Sequence, residues 1–76
     1  PFTTATQVFY GLPAASPVRL SVYDVTGRLV DRIVDGTQSA GMHVARWDAS
    51  AQPSGVYFFR LEAGSDVRLQ RAILSK

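Results

Sequence analysis

The chain has 76 residues, enough for one domain and one core. Hydrophobic residues make up 46% and charged residues only 18%, which excludes a disordered chain, and the absence of cysteine excludes disulfides, zinc–thiolate sites and thiol catalysis. The net charge is +2, with seven arginines spread along the chain rather than gathered in a block.

Apolar residues recur with period two. Val8, Tyr10 and Leu12 alternate with Gln7, Phe9 and Gly11, predicting a strand over 5–12 that Pro13 closes. Val18, Leu20 and Val22 predict a second strand over 18–24, and Thr26-Gly27 a tight turn, with Asp24 accepting backbone N–H groups. A third strand is expected over 28–34. Asp35-Gly36 and Ala40-Gly41 then bracket a polar loop, in which an extra edge strand could lie near 37–40. The fourth strand, 42–48, ends on Trp47, expected to plug the core. Tyr57, Phe59 and Leu61 mark a fifth strand over 56–63, with Tyr57 in the core and its hydroxyl reaching backbone. Ala63-Gly64-Ser65-Asp66 reads as a hairpin turn into a last strand, 67–74. There, Val67, Leu69 and Ile73 share a parity with Arg71, which calls for a bulge or an edge position. Turn signals at eight- to twelve-residue spacing predict an all-β fold, a small antiparallel β-sandwich of six or seven strands.

Catalytic constellations are missing from this pattern. His43 is the single histidine and no serine stands in a Gly-x-Ser-x-Gly elbow, which makes His43 a poor triad candidate. The acidic residues fall mostly at strand ends and turns, the places of turn formers rather than of a facing carboxylate pair or a calcium cluster. No cofactor is expected. The scattered arginines and the lack of a phosphate-cradling loop argue against nucleic acid, and no apolar run approaches the ~20 residues of a membrane helix. Phe9, Tyr23 and Phe58 are out of phase with the core. They are expected either to pair across strands or to form an exposed aromatic patch that docks a protein or, less readily, a sugar. The chain opens at Pro1 and its one methionine is Met42, so it reads as an excised domain or a processed product of a longer protein.

The ordered set Pro1-Phe2, Val8-Phe9-Tyr10-Gly11-Leu12-Pro13, Val18 to Asp24, Gly27-Arg28, Ala40-Gly41, Trp47-Asp48 and Ser54-Gly55-Val56-Tyr57-Phe58-Phe59-Arg60-Leu61 spans essentially the whole chain. It resembles the type A C-terminal sorting domain of the type IX (Por) secretion system of Bacteroidota, and the related immunoglobulin-like domain of the flagellar hook-cap protein. The resemblance implies an immunoglobulin-like fold and a non-catalytic sorting signal, with Gly27, Arg28, Gly41 and Trp47 as structural positions. The signal would direct an upstream cargo domain in cis through the periplasm to the cell surface or medium. Its implied partners are the type IX translocon and a sortase that removes the domain. Arg71 stands where lysine is common, and the chain ends at Lys76, shortly after a basic position, as such domains do. The last hairpin, 56–74, is where a translocon protein is expected to add a strand or grip side chains. Gly55, Tyr57, Arg60, Arg68, Arg71 and Lys76 are the expected contacts. The alternative is a structural spacer or a carbohydrate-binding module of a secreted enzyme.

Overall fold

The computed structural model describes residues 4–76, and Pro1-Phe2 of the ordered set lies outside them. Six strands are found among the described residues: β1 (Ala5–Leu12), β2 (Ser16–Asp24), β3 (Leu29–Gln38), β4 (Gly41–Asp48), β5 (Gly55–Ala63) and β6 (Asp66–Leu74). They form two antiparallel sheets, β1-β4 and β3-β2-β5-β6. The described residues therefore form an all-β sandwich of six strands with unequal layers.

The period-two pattern is realised directly. Val8, Tyr10 and Leu12 of β1 face Val18, Leu20 and Val22 of β2, all buried, while the alternate residues point outward. Trp47 sits at the centre, packed edge-on against Tyr57 (centroids 5.1 Å apart) and Phe59 (5.6 Å). Edge-on pairs place the positive ring rim on the negative ring face, which adds to the area that three large rings remove from water. The Tyr57 hydroxyl donates to the Pro53 carbonyl at 2.6 Å, so its one polar atom is satisfied at the core's edge.

The third strand departs from expectation. It does not stop at 34 with a polar loop and a separate edge strand, but continues to Gln38, leaving only Ser39 and Ala40 as a connection. Asp35 and Gly36 are strand residues opposite Arg19 and Val18. Two register shifts, at Leu20/Ser21 and Val22/Tyr23, explain the irregular apolar pattern. Each puts an extra β3 residue against β2, so Val30, Ile33 and Val34 all reach the core without strict alternation.

The turns follow the expected chemistry. Asp24 Oδ1 accepts from the Thr26 N–H (2.9 Å), the Thr26 hydroxyl (2.6 Å) and the Arg28 N–H (3.1 Å). Gly27 closes this turn at φ 88°. Gly64-Ser65 joins β5 to β6 as a two-residue hairpin loop, with Ala63 opposite Asp66. Only its first residue has positive φ (58° at Gly64), the type II′ arrangement that suits twisted strands.

Candidate docking surface

The outer face of the four-stranded sheet is organised in rows by the strand registers. One row holds Asp35, Arg19, Glu62 and Val67, and the next Arg32, Ser21, Arg60 and Leu69. A third holds Leu29, Tyr23, Phe58 and Arg71, and a fourth Val56 and Ile73. The first two rows are largely charged and internally compensated. Arg19 approaches Asp35 at 3.9 Å and Arg60 approaches Glu62 at 3.2 Å. Ser21 is buried although it faces outward, because arginines flank it on both sides, and its hydroxyl accepts from Arg32 Nε at 3.4 Å. Long arginine stems cover a small side chain in this way.

Apart from Arg71, the remaining rows are apolar. Tyr23 and Phe58 are cross-strand neighbours and half-buried, the pairing expected of out-of-phase aromatics. Beside them on β6, Ile73, Leu69 and Val67 are exposed, Leu69 by 72%. The face carries Arg71 opposite Phe58 as a cation with no acidic partner among the described residues. Beta-6 has a neighbour on one side only, so its other backbone edge is open. No register shift interrupts the β5–β6 ladder: the unusual parity of 67–73 reflects an edge position, not a bulge.

The other sequence-predicted residues are distributed more widely than expected. Phe9 is 68% exposed, but on the two-stranded sheet, opposite Val44 and away from Tyr23 and Phe58. The three aromatics therefore do not make a single patch. Arg68 lies on the inner side of β6, opposite Leu61, whereas Arg71 lies on the outer side. Lys76 is held elsewhere: its N–H donates to Ser54 Oγ at 3.0 Å and its Nζ to the Ser50 carbonyl at 2.7 Å. The basic residues of the last strand thus form no cluster, because alternation sends them to opposite faces.

Gly55 opens β5, exposed, at φ 159°. Tyr57 is buried and acts through the core, and Arg60 is exposed on the outer face. Arg28 pairs with Asp24 at 3.8 Å, Gly41 begins β4 at φ 120°, and Trp47 is a core residue as expected. His43 stacks on Tyr10 and its Nε2 bonds the Ser39 carbonyl at 2.7 Å, a structural role. No group of three or more metal-binding side chains occurs among the described residues. What sequence reasoning missed is that Val67, Leu69 and Ile73 form an exposed face rather than part of the core. The signal was present in Arg71 on their own parity and in Ala72 and Leu74 on the other, which carries the core contact.

Three ionisable groups have displaced pKa values. The Thr26 hydroxyl and then the Arg28 N–H hold the Asp24 carboxyl below its usual range. Hydrogen bonds from the Ser50 N–H and hydroxyl do the same for Asp48. Burial pushes the Tyr10 phenol up, partly offset by its hydrogen bond to the Gln38 side chain.

The chain was also compared with known proteins. Neither a curated protein nor a solved structure matches it. One family model does, the FlgD Ig-like domain, over residues 3–66, which reaches from β1 through β5 to the first residue of β6. With the match covering most of the sandwich and the strands arranged in two antiparallel layers, the chain belongs to the FlgD Ig-like domain family.

Proposed function

We propose that this domain is a non-catalytic sorting signal that directs a covalently attached cargo through the type IX secretion system. Translocon and sortase components would be its partners, and the cargo would pass from the periplasm to the cell surface or medium. The observation that carries the reading is the β5–β6 hairpin. Its first strand, with the serine just before it, holds Ser54-Gly55-Val56-Tyr57-Phe58-Phe59-Arg60-Leu61, the segment most like a sorting domain. Its second strand leaves Val67, Leu69 and Ile73 exposed beside an open backbone edge. Soluble proteins blunt such edges unless a partner uses them. A translocon protein would pair with the β6 edge, pack on Leu69 and Ile73, and be oriented by Arg71.

The test is a fusion of a signal peptide, a fluorescent protein and residues 1–76, expressed in a type IX-competent bacterium and in a translocon-null strain. Surface or medium fluorescence in the competent strain alone is expected. A folded fusion retained in the periplasm of both strains would overturn the proposal. Truncating the last strand is a poor probe, because it removes the buried Leu74. Leu69→Glu instead changes an exposed residue, and is expected to lower export without lowering the melting temperature.

A second reading, an accessory domain that spaces or steadies its neighbour, is favoured by membership of the FlgD Ig-like family. Under it, deleting the domain changes the stability of the adjoining domain and leaves its export unchanged. A sugar-binding platform is less well supported, since Phe9 sits on the opposite layer from Tyr23 and Phe58.

A further inference from the structure

The two layers are unequal, and the shortfall lies on one side. Residues of β1 line clefts whose opposite walls come from β5 and β6, so the edge of β1 not paired with β4 faces those two strands. Two adjoining clefts follow that edge. One, of about 240 Å³, is lined by Val8, Phe9 and Tyr10 of β1 and by Phe59, Leu61, Arg68 and Gln70 on the opposite wall. The other, of about 320 Å³, continues past Gly11 and Leu12 to Ala63 and Asp66. Tyr10, Leu61 and Arg68 line both, so the clefts form one groove.

The hydrogen-bond phase of β1 follows from one contact. The Ala49 N–H donates to the Thr4 carbonyl at 2.8 Å, and Ala5 is opposite Asp48, so Thr4 and Ala49 face each other as a bonded pair. Antiparallel bonded pairs alternate along a strand. The backbone groups of Thr6, Val8 and Tyr10 therefore point to β4, and those of Gln7, Phe9 and Gly11 point to the groove edge. Among the described residues the small sheet has no strand on that side. The groove's floor explains an oddity of β6: its inner positions Arg68 and Gln70, opposite Leu61 and Phe59, are exposed because nothing lies over them.

We propose that this groove receives an extended segment of a partner protein as a third strand of the small sheet, paired with Gln7, Phe9 and Gly11. Alternate side chains of that segment point inward, as β1's own do. Over the half-buried Leu61 they must be apolar, and beside Arg68 one must be a carboxylate. Arg68 is the only charged side chain lining the 240 Å³ cleft, and it has no hydrogen bond or ion pair among the described residues. This site is separate from the β6 edge invoked for sorting: it uses the other layer's edge and does not depend on the export reading.

The probe is a panel of synthetic strand-length peptides in which valine alternates with threonine and one central valine is replaced by glutamate, titrated into the ¹⁵N-labelled chain. The expected result is saturable shifts and slowed amide exchange at Gln7, Phe9 and Gly11. Arg68→Glu, a change at an exposed residue, should weaken binding at least tenfold. A peptide with lysine in place of the glutamate should recover it on that variant. No saturable shift up to millimolar peptide in the folded chain would overturn the proposal. So would shifts confined to β3 or β6, or binding that Arg68→Glu leaves unchanged.

Discussion

Beta-5 and β6 are adjacent, equal in length and paired without a slip from Gly55–Leu74 to Ala63–Asp66, yet they use their faces in opposite ways. Along β5 the inner residues Tyr57 and Phe59 are buried and Arg60 faces out to solvent. Along β6 only Ala72 and Leu74 reach the core, the inner residues Arg68 and Gln70 are exposed, and Val67, Leu69 and Ile73 lie on the outside with Arg71. The backbone geometry is shared, so the difference comes from what lies over each strand. Beta-5 sits under Trp47 of the small sheet, whereas much of β6 projects beyond it. Alternation along a strand therefore records the covering layer as much as the strand itself. Where the layer is missing, the inner parity is free to carry polar residues, as Arg68 and Gln70 do.

The sharpest break of this comparison is a pair of truncations in neighbouring strands. Phe59→Ala removes a ring packed edge-on against Trp47 and leaves a core cavity. About 3–5 kcal/mol of stability is expected to be lost, enough to unfold a marginal domain of this size. Leu69→Ala, on the exposed side of β6, should stay within about 0.5 kcal/mol of the parent. Urea unfolding followed by Trp47 fluorescence measures both. Comparable losses at the two sites would mean that β6 is covered in solution.

The joint between the two strands gives the next largest effect. Gly64 holds φ 58° in the hairpin loop, and a Cβ there would meet no atom. Gly64→Ala therefore isolates backbone strain from crowding, and about 1–2 kcal/mol of destabilisation is expected by the same denaturation measurement. Gln70→Val, on the uncovered inner side of β6, should change stability by less than about 0.5 kcal/mol. Had the small sheet reached over this residue, the same change would stabilise the domain by the burial of a whole valine.

Much of this architecture was legible in the residues. The strand rhythm, the Asp24–Gly27 turn, the Gly64 hairpin, and the placing of Trp47 and Tyr57 all follow from local rules of alternation, positive φ and aromatic burial. The course of β3 was not, since Asp35-Gly36 has loop chemistry in isolation. Only its pairing with Arg19 and Val18 makes it strand, and two register shifts erase the periodicity that would have announced it. The grouping of the site residues was illegible for a related reason. Sequence proximity of Arg68, Arg71 and Lys76 suggests a cluster, but alternation divides the arginines and two hydrogen bonds tie Lys76 to the 50–54 segment. Phe9 and Phe58 share a phase within their own strands, and only the sheet assignment reveals that they occupy opposite layers.

The smallest effect tests the turn that joins the covered strand β2 to the irregular strand β3. Three hydrogen bonds converge on Asp24 Oδ1, and they favour the ionised carboxylate over the protonated acid. The folded-state pKa is thereby held below the usual 3.8, while the unfolded chain retains the ordinary value. The native state thus binds the proton less readily than the unfolded state. Its stabilisation by Asp24 is complete above the unfolded-state pKa and declines as pH falls through the folded one. Asp48, held low by the Ser50 N–H and hydroxyl, adds in the same direction. Asp24→Asn keeps an oxygen that can accept these bonds and removes the charge. Denaturation midpoints of parent and variant should therefore differ modestly at pH 7 and converge as pH falls below the usual carboxylate range. A gap that persists unchanged at low pH would mean that Asn fails to reproduce the turn's geometry, and that shape rather than ionisation makes the aspartate valuable there.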